Sequence, residues 1–252
     1  MIAAVLPRAN SGRDSLYVYL AYGCALIAVA GFTPTYWAPV AMGRFTGPPI
    51  LHLHGLLFSA WMVFFIVQTT LVATGRTERH RALGLLGVSL ATAMLLVGLA
   101  AALHSVRLGI ALGLEAQNRA FSIVPISIVV FFACTVAVAV ANVSHPDVHK
   151  RLMLVATISL LPPAFARLIA LGAGVPFSPG HPPPLAFSLL PSFASDLPLI
   201  AAIAWDRRKH ARFDRTYLIA GACLIALQII RVPVGSTTAW YKVTDWLLAF
   251  GA

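Results

Sequence analysis

The chain has 252 residues and a formal net charge of +10, yet 59% of it is hydrophobic and only 10% charged, a balance that excludes an ordinary soluble domain. The positive charge would suit nucleic acid, but the basic residues cluster in short stretches between apolar runs. There they set membrane orientation, and a nucleic-acid partner is excluded. The three cysteines, Cys24, Cys134 and Cys223, lie far apart inside apolar segments without a CxxC pair, which excludes a disulfide framework and a thiolate metal site.

Met1 to Asp14 carries Arg8 and Arg13, and no small-residue cleavage site follows the next apolar run, so the first segment reads as an uncleaved anchor. The apolar runs predict helices over about 15–33, 49–74, 82–104, 120–143, 150–172, 185–205 and 216–232, each near the roughly twenty residues that a bilayer requires. Pro233 and Gly235 interrupt the last run. A separate interfacial helix is therefore expected over about 239–250, with Trp240, Tyr241, Lys242 and Trp246 at headgroup depth. The expected fold is an all-α integral membrane protein: one polytopic domain, a seven-transmembrane-helix bundle with a short C-terminal interfacial helix.

In this layout Arg8, Arg13, Arg76, Arg79, Arg81, Lys150, Arg151, Arg207, Arg208, Lys209, Arg212 and Arg215 share one face. The other face receives Arg44, Arg107, Arg119 and Lys242. The positive-inside rule makes the first face cytoplasmic, with the amino terminus inside and the carboxyl terminus outside. That is the reverse of a rhodopsin, and Lys242 lies beyond the seventh helix, which argues against a retinal protein. HRALGLLGVSL from His80 also lines up with HKRLMLVATISL from His149, a short repeat that opens two inward-starting helices.

The stretch from Leu51 to Gly84 concentrates the candidate chemistry. It starts with His52 and His54, crosses the membrane, and ends at His80 among arginines. His54, Trp61 and Gln68 recur at heptad spacing, so they share one side of the helix, and polar groups there should face protein or a cavity. The eight histidines sort by depth into two layers: His80, His145, His149 and His210 at the basic face, and His52, His54, His104 and His181 at the other. Imidazole is a common transition-metal ligand and haem axial ligand. Histidine at a helix end in a basic loop is also an ordinary solvated or headgroup contact, a reading that applies above all to His145 and His210.

Charges also fall inside the predicted helices: Arg167 in the fifth, Asp196 in the sixth and Arg231 in the seventh, with Gln228 one turn away. Each should be paired or face a polar cavity. One carboxylate cannot neutralise two guanidiniums, so a meeting of all three would invite an anion such as a haem propionate, a lipid phosphate or a carboxylate. The alternative is an Arg–Asp pair plus one snorkelling arginine. Pro162, Pro163, Pro191 and Pro198 are expected to break helices five and six near these charges. No HExxH, GxSxG or Walker loop is present, and only eight acidic residues exist, so serine or zinc-protease hydrolysis has no support.

The HxHG…W…Q…GR…HRxLG segment together with HPDVHKRLML resembles a family of bacterial predicted membrane proteins of unknown function, over most of the chain from helix two to helix five. More loosely, the HG pair and the HRxLG helix start resemble transmembrane di-haem cytochromes b of the ascorbate-reducible type. That resemblance implies a bacterial inner-membrane redox protein acting in electron transfer, with haem b between His80 and His149. Its outer site would use His54, and His104 only as a substitute, because the outer end of helix four offers Glu115, Asn118 and Arg119 but no histidine.

Three readings stay open on the residues. In the first, His80 and His149 are axial ligands, His54 and His104 serve an outer cofactor or quinone, and Arg167 and Arg231 hold anionic groups. In the second, a metal-free small transporter or a lipid- or quinone-binding protein uses Asp196, Arg167, Arg231 and Gln228 as a pocket for an anionic lipid or small molecule. The third is a membrane enzyme with a non-haem transition metal at His52, His54 and His104, which needs non-helical backbone at HxH.

Overall fold

The computed structural model describes residues 15–250, so Arg8 and Arg13 lie outside the described residues. Seven helices long and apolar enough to cross a membrane follow in order: α1 Ser15–Ala41, α2 Pro49–Ala73, α3 Thr77–Ala111, α4 Glu115–Ala141, α5 Pro146–Gly172, α6 Leu185–His210 and α7 Arg215–Gly235. A shorter helix, α8, covers Thr238–Ala249. All described regular structure is helical, as expected where lipid cannot satisfy backbone N–H and C=O groups.

Neighbours in sequence pack as neighbours in space from α1 to α5, and α1 closes back onto the second half of α5. The middle of the bundle is α5, the most buried of the seven, whereas α2 turns most of its surface outward. Leu154, Val155, Ala156 and Ile158 of α5 are fully buried, along with Phe132 and Trp61. Exposed Leu, Val and Ile side chains cover the outer faces of α2, α3 and α6, which suits a lipid surrounding.

Proline accounts for most breaks. Pro34 sits in a π-helical turn, Thr33–Trp37, within α1, and such turns accommodate one extra residue in a helix. In α5, Pro162 and Pro163 separate Pro146–Ser159 from Pro162–Gly172, bridged by a tight turn in which Leu161 donates to the Ile158 carbonyl at 3.0 Å. In α6 a 3₁₀ turn, Leu185–Ser188, leads into Leu189–Ser195, and a second break at Asp196 precedes Leu197–His210. Pro191 lies inside the Leu189–Ser195 piece, so it does not mark a break.

Three sequence expectations need correction. Helix three is not confined to 82–104; it runs 35 residues, Thr77–Ala111, because the polar Thr77–Arg81 and Ser105–Arg107 stretches carry no helix breaker and continue it. His80 and His104 therefore stand within the helix. Pro233 does not interrupt α7, which continues to Gly235; in the last turn a proline costs one hydrogen bond near an end that is already frayed. Arg151 is not a loop charge but a buried one.

Where α1 crosses α5 the backbones nearly touch. A Cβ added at Gly31 would lie 2.5 Å from the Ala164 carbonyl oxygen, whereas one at Gly23 would meet nothing within 4 Å. Small residues at such crossings let transmembrane helices approach. Gly31→Ala is accordingly expected to destabilise the protein by about 1–3 kcal/mol. Gly23→Ala is expected to be neutral or mildly stabilising through helix propensity. Unfolding midpoints of the two variants in one detergent check this pair.

Candidate functional site

At the basic end, the first turns of α3 and α5 bring His80 and His149 face to edge. Their ring centroids are 6.2 Å apart with an interplanar angle of 78°, the end of α4 standing beside both. His149 Nδ1 donates to the Ala139 carbonyl of α4 at 2.8 Å. A carbonyl only accepts, so this bond places the proton on Nδ1 and leaves Nε2 with a free lone pair. Such a backbone contact orients and tautomerically fixes a ligating imidazole. His80 Nδ1 is buried and has no hydrogen-bond partner. Of the other histidines at this end, His145 is exposed and shares a 3.1 Å contact with Ser144, and His210 is exposed.

Two residues further along α5 begins a network that the sequence reading did not single out. The Arg151 guanidinium pairs with Asp206 of α6 at 2.7 Å, donates to the Asp147 carbonyl at 2.7 Å, and faces Asp214 at the start of α7 at 3.5 Å. It also lies over the Tyr217 ring, and Tyr217 shares a 3.0 Å hydroxyl contact with Tyr17 of α1. Four helices are thereby tied at one point. The available signal was the acidic inventory: three of the eight acidic residues, Asp147, Asp206 and Asp214, are embedded in basic stretches, where a partner was close at hand.

The stripe on α2 points inward. Trp61 is fully buried, donates to Thr157 of α5 at 3.2 Å and packs edge-on against Phe132 of α4 at 4.7 Å. That makes it a core bridge between three helices. Gln68 is also buried, with Oε1 unpartnered. His54 stacks on Phe58 at 4.1 Å, and its Nδ1 is buried without a partner.

The intramembrane charges separate into two places. Arg231 donates to the Ser188 carbonyl at 3.1 Å and to Ser192 Oγ, while Gln228 donates to Asp196 Oδ1 at 3.2 Å. All five residues of this α6–α7 cluster are buried, and Arg231 Nε, Gln228 Oε1 and Ser188 Oγ have no partner. Arg231 and Asp196 form no ion pair within 4 Å. Arg167 stands elsewhere, donating to Thr35 of α1 at 3.0 Å and to the Pro163 carbonyl at 2.9 Å, between the rings of Phe32 and Phe177.

The remaining histidines at the α8 end do not converge. His52 meets the Tyr36 hydroxyl at 3.1 Å, and the backbone of α2 is helical throughout Pro49–Ala73, so His52 and His54 point apart. The helical backbone removes the condition on which the HxH metal reading depended. His181 is exposed beside Pro179, and His104 is half-buried with no side-chain hydrogen bond. Asn118 is occupied by the Leu114 and Gly180 carbonyls, and Arg119 by Glu115 and Asp245. Among the described residues no group of three or more His, Cys, Asp or Glu could hold a metal ion.

No protein-family model, no curated protein and no solved structure matches this chain. Its functional reading therefore rests on its own residues.

The Arg151–Asp206 pair carries the clearest energetic expectation. Asp206→Asn leaves a buried guanidinium short of its nearest countercharge, a loss of about 3–5 kcal/mol. Replacing both partners, Arg151→Met with Asp206→Leu, is expected to recover part of that loss. The unfolding midpoints of the single and double variants test the sign of the difference.

Proposed function

We propose that this chain is a bacterial inner-membrane redox protein that holds one b-type haem at its basic end and passes electrons through it. The observation that carries the reading is the His80–His149 pair. Two imidazoles ligating one metal from opposite sides at about 2.0–2.1 Å have ring centroids roughly 6 Å apart, close to the separation here. A bare ion asks for three or four protein ligands, whereas a porphyrin supplies four donors and needs two axial ones. The donor set, two histidines and no third group, fits the second case.

In this reading His80 and His149 would hold the haem, and Ala139 keeps the His149 ring in register through its Nδ1–H. A haem bound there would supply a one-electron carrier. Both rings are half-buried, and Arg76 of the α2–α3 turn and Arg79 of the first turn of α3 are close to His80 along the chain, where they would meet anionic edge groups. The basic end would face the cytoplasm by the positive-inside rule, with the α8 end outside. A second haem has no support from the α8 end, where His54 has no facing histidine.

The purified protein, oxidised and then reduced with dithionite, is expected to show a Soret band with sharp α and β bands in the reduced state. His80→Ala and His149→Ala should each abolish it and His54→Ala should leave it. A featureless spectrum from cells supplied with haem precursor would overturn the reading.

A second reading, a metal-free transporter or lipid- or quinone-binding protein, draws support from the three unpartnered polar atoms of the Arg231–Gln228–Ser188 cluster and from the break of α6 at Asp196. Complementation of a chromosomal deletion by Asp196→Ala discriminates between the two. Loss of complementation with haem content unchanged assigns the function to the cluster.

A further inference from the structure

Arg167 is a guanidinium in the membrane span of α5, five residues from its end, and no acidic residue pairs with it among the described residues. An uncompensated charge in this setting is costly. Yet the protein is built to keep it in place. The π-helical turn of α1 presents Thr35 to its Nε, the Pro163 carbonyl one turn back in the same helix accepts from Nη1, and the guanidinium carbon lies 4.3 and 4.5 Å from the ring centroids of Phe32 and Phe177. The other edge, Nη2, makes no hydrogen bond to a described residue.

The same turn of α1 reaches α2 on its other side. Tyr36, next to Thr35, meets His52 and crowds Gly55 so closely that a Cβ there would come within 3.0 Å of its ring. His54 points to the other side of α2 from His52, and its buried Nδ1 has no partner. A held cation with a free edge lies where α1 meets α5.

We propose that Arg167, held by Thr35 and the Pro163 carbonyl, binds a carboxylate or phosphate group at the α8 end of the bundle. A guanidinium held flat by two rings and anchored at one edge offers its remaining N–H groups to a planar or tetrahedral oxyanion. The group comes either from the headgroup of an anionic lipid or from a dissolved anion. This assignment is independent of the haem reading, since it lies at the other end of the bundle.

The test uses full-length protein and reads its unfolding midpoint. One arm titrates inorganic phosphate, and separately acetate, against chloride at matched ionic strength in detergent. The other compares nanodiscs of phosphatidylcholine with and without phosphatidylglycerol. A rise in midpoint is expected in at least one arm; it should survive Arg44→Gln, an exposed arginine at the same end, and vanish in Arg167→Gln. A response to phosphatidylglycerol alone assigns a lipid headgroup, and a response to phosphate or acetate assigns a dissolved anion. Should Arg167→Gln fail to fold, Arg167→Lys replaces it: the ammonium lacks the parallel N–H pair, so half-saturation should move up on the order of tenfold. No anion-dependent rise in wild type, or a rise unchanged in the Arg167 variants, overturns the proposal.

Discussion

The buried contact between Arg151 and Asp206 is the constraint on which the basic end depends. A guanidinium out of water must be surrounded by acceptors, and this one is met by carboxylates of α6 and α7 and by a carbonyl of its own helix. Its position two residues after His149 means that the ion pair also sets the rotation of α5. With α5 fixed, His149 turns toward α4 and α3, and the Ala139 carbonyl is in reach. The tyrosine pair adds α1 to the same point. Position of the imidazoles is therefore a by-product of charge neutralisation one half-turn away.

Much of the architecture was legible in the sequence because a bilayer makes only one demand on a spanning segment, a long apolar run. All seven spans could be read that way, and the short last helix as well. The inner histidine pair was legible for a related reason, since His80 and His149 open helices that start from the same side. Their approach in space was not, because it depends on α4 standing next to both α3 and α5. The arginines were harder still. Arg151 sits in a run of basic residues, and composition alone cannot tell a buried ion pair from a solvated loop. Likewise Arg167 and Arg231 lie near the outer ends of their helices and Asp196 deeper, but the rotation of each helix sends Arg167 to α1 and leaves the other two between α6 and α7.

The breaks in the helices have a shared logic. Two of them have a side chain on a nearby carbonyl: Arg167 donates to the Pro163 carbonyl, and Arg231 to the Ser188 carbonyl at the 3₁₀ turn. In water these carbonyls would be solvated at little cost. Within a membrane they must find donors, and arginine carries five. Each arginine thus takes up a main-chain carbonyl beside a break, which helps explain why strong charges are tolerated there.

The length of α3 has a consequence of its own. Thirty-five residues extend about 52 Å at about 1.5 Å per residue, against a hydrocarbon layer about 30 Å thick. Even a 40° tilt, the upper end of the usual range, leaves it roughly 10 Å too long. That excess cannot be absorbed by leaning, so α3 reaches beyond the apolar layer, and its charged first turn, Thr77–Arg81, lies outside the apolar run that begins near residue 82. His80 rides on that turn. Whatever it holds is then at the rim of the membrane, open to exchange with the aqueous side without a passage through the apolar interior.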